Sequence, residues 1–283
     1  IGGVIGRLTA WRHGGIKTIY TAHGFHFYNG APLGNWLAFY PVEKTMARIT
    51  DVLITINTED YERARRSFCA REVYYVPGIG IDLQKFCVGQ IDVKAKRAEL
   101  GVREDEILIL SVGELIPRKD HETVIRALAR TGRQGFQYLI CGTGPLHEML
   151  SALVHQEGLD GRVKLLGFRT DIAELCQAAD LFVFPSRQEG LSVAMMEAIA
   201  CETPVVCSAI RGNTDLVQNK ECLFRSGSVQ ELAAMLRELI IDGRDALRQA
   251  MRCSVVKNHE QLRKFDLKAV EVQMRKIYSE LLE

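Results

Sequence analysis

Glu189 and Glu197 stand eight positions apart, with Gly190, Leu191, Ser192 and Val193 between them. Ser192 suits an N-cap, and the helix it would open carries Val193, Met196, Ile199 and Ala200 at helical spacing. The free backbone N–H groups at such a helix start favour an anion. A carboxylate beside that site would repel a phosphate, so its use there is to accept hydrogen bonds from neutral hydroxyls. A sugar nucleotide offers both a diphosphate and hydroxyls. Glu189, in the loop, is placed to hold the sugar, and Glu197, about one and a half turns into the helix, to hold the ribose.

A second set of candidates is basic. Arg118 and Lys119 lie between an apolar run, Ile107 to Val112, that ends at Gly113 and a helical pattern from His121 to Ala129, for which Asp120 is the expected cap. A loop there faces the ligand crevice of an open sheet, where Arg grips phosphate in bidentate fashion and Lys adds a mobile point charge. Gly142 and Gly144 begin a dinucleotide fingerprint, but its third glycine is His147, and Pro145 is expected to open the helix. A dehydrogenase therefore fits poorly.

The elements that must position these residues follow from periodicity. Leu181 to Phe184, too short for a helix and bounded by Asp180 and Pro185, reads as a buried parallel strand, and Pro204 starts another over Val205 to Cys207. Tyr138 to Cys141 and Val163 to Leu166 are further strands. Asp171 is expected to cap the next helix, and Val229 to Ile241 forms an amphipathic one. This regular alternation argues a doubly wound parallel sheet. Ahead of it, Ile1 to Trp11 reads as helix, Thr18 to Thr21 as strand, Asn35 to Ile49 as a helix containing Pro41, then Asp51 to Ile56, Glu59 to Phe68 and Val73 to Val76 as strand, helix, strand. Pro77, Gly78 and Gly80 mark a crossing between the two parts. A last helical pattern runs from Phe265 to Leu281.

Composition bounds the class. With 283 residues, 47% hydrophobic and 25% charged, the chain has length for two domains. A net charge of +1 gives no reason to expect a nucleic-acid partner. No apolar run approaches the roughly 18 residues of a membrane span. The eight cysteines form no C-x-x-C pair, and Cys141 and Cys207 fall in predicted strands, so most of the set reads as reduced, buried thiols of a cytoplasmic protein. Without a D-x-D motif, neither a metal nor another cofactor is expected. The cluster Trp36, Leu37, Phe39 and Tyr40 has two readings: core packing, or a patch that, with Arg7, Arg12 and Lys17, rests peripherally on the inner face of a membrane.

Ser186, Glu189, Gly190, Glu197, Ala198, Pro204, Val205 and Val206 together resemble the E-x7-E signature of retaining family 4 glycosyltransferases, of the capsular and exopolysaccharide type. The resemblance covers nearly the whole chain. It implies an α/β chain of GT-B fold, two Rossmann-like doubly wound domains facing a cleft, the first incomplete because the sequence looks N-terminally truncated beside the family. Residues 1–85 would be the partial acceptor-side domain, 86–262 the nucleotide-sugar donor domain, and 263–283 a helix returning to the first domain. By the same resemblance His23 lies over the donor sugar, and Arg118 and Lys119 act on the donor diphosphate. Gly113, Gly142 and Gly144 lie beside the nucleotide, Phe168 and Arg169 at the base, and Gly190, Leu191, Ser192, Val193 and Glu197 on the donor; His26 has no counterpart. Glu114 stands where many members carry Arg, and Pro77-Gly78-Ile79-Gly80 where many have Pro-Asn-Gly.

The implied reaction moves a sugar from a nucleotide donor, UDP-linked, to a glycan or undecaprenyl-linked acceptor with retained anomeric configuration. The departing phosphate takes the acceptor's proton. Three alternatives share parts of the pattern. A glycoside hydrolase uses two carboxylates but needs no anion site; a UDP-sugar epimerase of GT-B fold needs no acceptor; a non-catalytic module would only bind the nucleotide sugar.

Overall fold

The computed structural model of the chain describes residues 2–86, 89 and 91–282, so Ile1, Cys87 and Glu283 of the readings above lie outside the described residues. In chain order the first elements are α1 (Gly2–His13), β1 (Ile19–Ala22), α2 (Leu33–Ala47), β2 (Val52–Thr55), α3 (Thr58–Ser67), β3 (Glu72–Tyr75) and α4 (Val93–Glu99). Then come β4 (Ile107–Val112), α5 (His121–Thr131), β5 (Phe136–Cys141), α6 (His147–Gln156), β6 (Val163–Gly167), α7 (Ile172–Ala178) and β7 (Leu181–Phe184). The chain closes with α8 (Val193–Ala200), β8 (Val205–Ser208), α9 (Asn213–Leu216), β9 (Leu223–Phe224), α10 (Val229–Ile241), α11 (Gly243–Leu262) and α12 (Leu267–Leu282).

Two compact units form. The first holds the chain up to Gly80, the three residues Glu189–Leu191 and the segment from Lys264 onward; the second holds Ile81–Gln188 and Ser192–Arg263. In the first unit β1, β2 and β3 pair in parallel in that order. Because side chains alternate across a strand, Leu53 enters a cluster with Phe25, Phe27 and Phe68, while Val52 and Ile54 meet Val270 and Ile277 of α12 on the other face. Val270 and Ile277, seven apart, share one side of that helix. Asn57 caps α3 by accepting from the Asp60 N–H at 2.8 Å, and the buried Asp60 carboxylate accepts from the Phe25 N–H at 3.0 Å, which fixes the segment after β1.

The aromatic cluster of α2 divides. Trp36 and Tyr40 pack on Phe27, whereas Leu37 and Phe39 are exposed, so neither sequence reading takes all four. Arg7 leaves the surface patch altogether: it is buried, pairs with Glu43 at 2.8 Å and lies over the Tyr20 ring. Among the described residues no helix is long and apolar enough to cross a membrane.

The second unit is a parallel six-stranded sheet of order β6-β5-β4-β7-β8-β9. From β4 the chain winds outward through β5 and β6, then returns to β7 on the other side of β4. Right-handed crossovers thus place α5 and α6 on one face and α8 on the other. The packing of α5 with α6 and α10, and of α8 with α7 and α11, follows that division. Strands β4, β7 and β8 are almost wholly buried, as their uninterrupted apolar runs require. Helices α4 and α11 had no counterpart in the sequence reading, and α11 is polar over most of its length.

At the amino ends of β4 and β7, Asp180 is fully buried and accepts from Arg97 at 2.8 Å, Arg244 at 3.0 Å, Arg248 at 3.1 Å and the Leu108 N–H at 2.9 Å. This cluster ties α4 and α11 to the centre of the sheet. The seven described cysteines are free thiols, five of them buried, and burial pushes Cys141 up to about 12.

Candidate active site

The order of the second sheet reverses between β4 and β7, and the carboxyl ends of those strands are where an open α/β sheet binds its ligand. Their pairing stops early, with Ile109 opposite Leu181 and Leu110 opposite Phe182. One residue further on Ser111 Oγ still reaches Val183 O, and the segments that follow the two strands lie together at their carboxyl ends.

Arg118 and Lys119 occupy that place. They sit in a single 3-10 turn, Pro117–Lys119, rather than in an open loop. The stem of Lys119 runs against Gly113, and its ammonium lies 5.0 Å over the ring of Phe184 at the end of β7. An aromatic face attracts the cation while displacing part of its water. Arg118 donates to the carbonyl of Gln188 at 2.9 Å, and its own carbonyl accepts from the Arg187 N–H at 2.8 Å. Asp120 does not cap α5. It adopts a left-handed conformation (φ 52°, ψ 38°), and its carboxylate takes the Thr123 hydroxyl at 2.8 Å and Arg187 at 3.0 Å, which leaves the first N–H groups of α5 without a side-chain cap.

The turn after β5 closes on the one after β4. Leu115 N–H donates to Thr143 O at 2.9 Å, and Leu146 N–H returns to Leu115 O at 3.0 Å. Gly142 has φ +148°, and a Cβ there would collide with the carbonyl of Gly113; a Cβ on Gly144 would collide with the backbone of Leu115. Only glycine accepts both the torsion and the approach. Helix α6 begins at His147 after a turn at Pro145-Leu146, so Pro145 precedes the helix by two residues.

Ser192 caps α8 as expected, its hydroxyl accepting from the Met195 N–H at 3.3 Å. Val193 is exposed in the first turn, and Glu197 is half-buried one turn on. Burial pushes the Glu197 carboxyl upward, with Lys85 pulling the other way. Phe168 stands 76% exposed past β6. The Arg169 side chain is held by Asp171 at 2.6 Å, and that ion pair drives the Asp171 carboxyl well below its usual range. Asp171, expected to cap α7, makes no cap bond, because its oxygens go to Arg169 and to Lys96, the latter at 2.6 Å.

Glu189, Gly190 and Leu191 belong to the first unit. Glu189 is buried there, and Gly190 lies so close to the His23 carbonyl that any side chain at 190 would strike it. His23 follows β1 and is exposed. His26 is exposed and stacks on Phe39 with ring centroids 4.5 Å apart.

Four residues at this end of the second sheet escaped sequence reasoning. His121 is buried under the β4 turn, its Nε2 3.4 Å from Gly113 O, and burial pulls the imidazole down to about 4. Ser111, Ser208 and Asn213 are fully buried; the two hydroxyls and Asn213 Nδ2 are hydrogen-bonded, whereas Asn213 Oδ1 has no partner among the described residues. The signal available for the serines was a polar residue at the last or next-to-last position of an apolar strand.

The family model of the glycosyl transferases group 1 matches residues 92–254, more than half of the chain. This chain belongs to that family. It is 35% identical over 247 residues to the EpsD protein of Bacillus subtilis, a match covering 84% of this chain and 65% of that one. It is 31% identical over 231 residues to the UDP-Gal:alpha-D-GlcNAc-diphosphoundecaprenol alpha-1,3-galactosyltransferase of Escherichia coli, covering 77% of this chain and 58% of the relative. The matched region thus spans about three fifths of these relatives. Among solved structures, Anabaena HepE in complex with UDP and glucose superposes with a TM-score of 0.82 at 23% identity, covering 98% of this chain and 75% of HepE. That likeness establishes the GT-B α/β fold for this member of the group 1 glycosyltransferases.

Proposed function

We propose that the protein is a retaining family 4 glycosyltransferase that moves a sugar from a UDP-sugar to a glycan or undecaprenyl-linked sugar in cell-surface polysaccharide synthesis. The observation that carries this reading is the convergence, at the β4–β7 reversal, of the Arg118–Lys119 turn with residues 186–188 that follow β7. Arg118 and Lys119 beside the first N–H groups of α5, which have no side-chain cap, suit a diphosphate. The UDP found with HepE and the donor and acceptor in the name of the Escherichia coli relative point to the same substrate classes.

In this reading the second unit is the donor domain and the first the acceptor side, with α12 as the returning C-terminal helix. Glu197 holds the ribose, Phe168 and the main chain of Arg169 lie at the base, and Gly113, Gly142 and Gly144 let the backbone approach the nucleotide. Leu191, Ser192 and Val193 present N–H groups to the phosphates. As the sugar bond breaks, negative charge grows on the diphosphate and positive charge on the sugar. Arg118 and Lys119 stabilise the former, the place where preorganised donors contribute most to rate. His23 and Glu189 are assigned to the sugar, and the leaving phosphate takes the acceptor's proton. With no D-x-D motif in the sequence, activity is expected to survive EDTA.

The test is transfer from UDP-sugars to lipid-linked and free glycan acceptors, alongside calorimetric titration with UDP. Lys119→Ala is expected to weaken UDP binding and to lower kcat by about 10²-fold. Binding of UDP no tighter than about millimolar by the folded wild type would refute the donor site. Turnover of a UDP-sugar without an acceptor would favour an epimerase instead.

A further inference from the structure

The main-chain register of β4 against β7 pairs Ile109 with Leu181 and Leu110 with Phe182. Past that point the strand ends are joined by side chains. Ser111 Oγ donates to Val183 O at 2.5 Å, and Ser186 Oγ donates to Arg118 O at 3.1 Å. The carbonyl of Ser186 in turn accepts from Ser208 Oγ at 2.5 Å, and Asn213 Nδ2 donates to both the carbonyl and the hydroxyl of Ser208, at 3.0 and 3.1 Å. One hydrogen-bonded chain therefore runs from the start of α9 through the ends of β8 and β7 to the main chain of Arg118. Ser186, Ser208 and Asn213 are all fully buried.

Taking these polar groups out of water is costly unless they are bonded; all the donors of the chain are, Asn213 Oδ1 alone among its polar atoms lacking a partner among the described residues, and in a low-dielectric surrounding such bonds are stiff. The element at the far end needs such stiffness. The Pro117–Lys119 turn is three residues long and carries two long, flexible cations. Its own closing bond is Lys119 N–H to Ile116 O at 3.0 Å. Its register against β7 rests on the Arg118 carbonyl, which accepts from the Arg187 N–H and from Ser186. Phe184, the ring beneath Lys119, ends the same strand that Ser186 extends.

From this geometry we infer that Ser186, Ser208 and Asn213 are positioning residues that hold the Arg118–Lys119 turn at its distance from β7 and so set the diphosphate crevice. The inference rests on the donor-site reading given above. None of the three needs to touch the donor. Displacing a charge by about 1 Å at a reacting centre is enough to cost on the order of 10²-fold in rate.

The experiment is a double-mutant cycle on UDP binding, read by calorimetry on the full chain, with Ser186→Ala and Lys119→Ala as single variants and combined. Ser186→Ala is expected to weaken UDP binding about 10-fold in the wild-type background and by about 3-fold or less when Lys119 is already Ala, because part of its effect passes through that cation and the rest through Arg118. Should Ser186→Ala fail to fold, Ser208→Ala enters the same cycle with the same expectation. Equal losses in both backgrounds, or no loss in either, overturn the positioning role. If Lys119→Ala alone leaves UDP affinity unchanged, the donor-site reading itself fails.

Discussion

Acidification offers a quantitative test of the packing beneath the β4 turn. His121 is 3% exposed, and burial is the main cause that lowers its pKa from 6.5 to about 4, with Lys119 adding to the same direction. Its Nε2 faces the Gly113 carbonyl, and its Nδ1 has no hydrogen-bond partner among the described residues. The native state thus holds the ring neutral while the unfolded chain protonates at the ordinary value. Above about pH 6.5 neither state carries the proton, and the full stability is present. Between 6.5 and about 4 the unfolded chain binds more protons, so stability falls as pH falls, with a slope of up to about 1.4 kcal/mol per pH unit. Below about 4 this group adds no further loss.

The integrated effect is about 3 kcal/mol, a large fraction of the 5–15 kcal/mol on the order of which domains are stable. Asp171, the carboxyl driven down by Arg169 and Lys96, contributes to acid loss only below its usual 3.8, outside this window. Urea unfolding measured at half-unit steps from pH 7 to 4, on the wild type and on His121→Asn, reads the slope directly. The Asn variant is expected to be less stable at pH 7 yet to show a flatter pH dependence. Equal slopes in the two proteins would refute the assignment of this acid sensitivity to a buried neutral His121.

Two further outcomes follow from named contacts. Asp180→Ala leaves Arg97 buried without its carboxylate and should lower stability by about 3–5 kcal/mol in urea unfolding, while UDP affinity of the folded variant stays within about 2-fold, because Asp180 lies at the amino ends of the strands. Glu197→Ala is expected to raise the donor KM more than it lowers kcat, as loss of a ribose contact made equally in ground and transition state requires. A collapsed kcat at unchanged KM would make Glu197 a chemical participant.

The sequence by itself determined the strands and helices whose signals are local. Leu181–Phe184 is buried on both faces and reads as an unbroken apolar run; Ser192 and the spacing behind it announce α8; Val229–Ile241 shows its amphipathic stripe without ambiguity. The alternation of these elements sufficed for a doubly wound sheet, and the residues around Glu189 and Glu197 for a resemblance to glycosyltransferases. What the tertiary structure alone decided concerns partners distant in the chain. Asp120 and Asp171 carry the residue type of a cap, but Arg187, Lys96 and Arg169 offer their carboxylates stronger, charged partners, and ion pairing outcompetes a backbone N–H. Helix α11 shows no clear local signal because its apolar residues are few, and two of its three arginines, Arg244 and Arg248, pair with one buried aspartate. Arg7, a surface cation by composition, is buried because Glu43 and the Tyr20 ring receive it. The hydrogen-bonded chain from Asn213 to Arg118 joins residues nearly a hundred positions apart, and no local pattern encodes it: only closure of the sheet brings the ends of β4, β7 and β8 side by side.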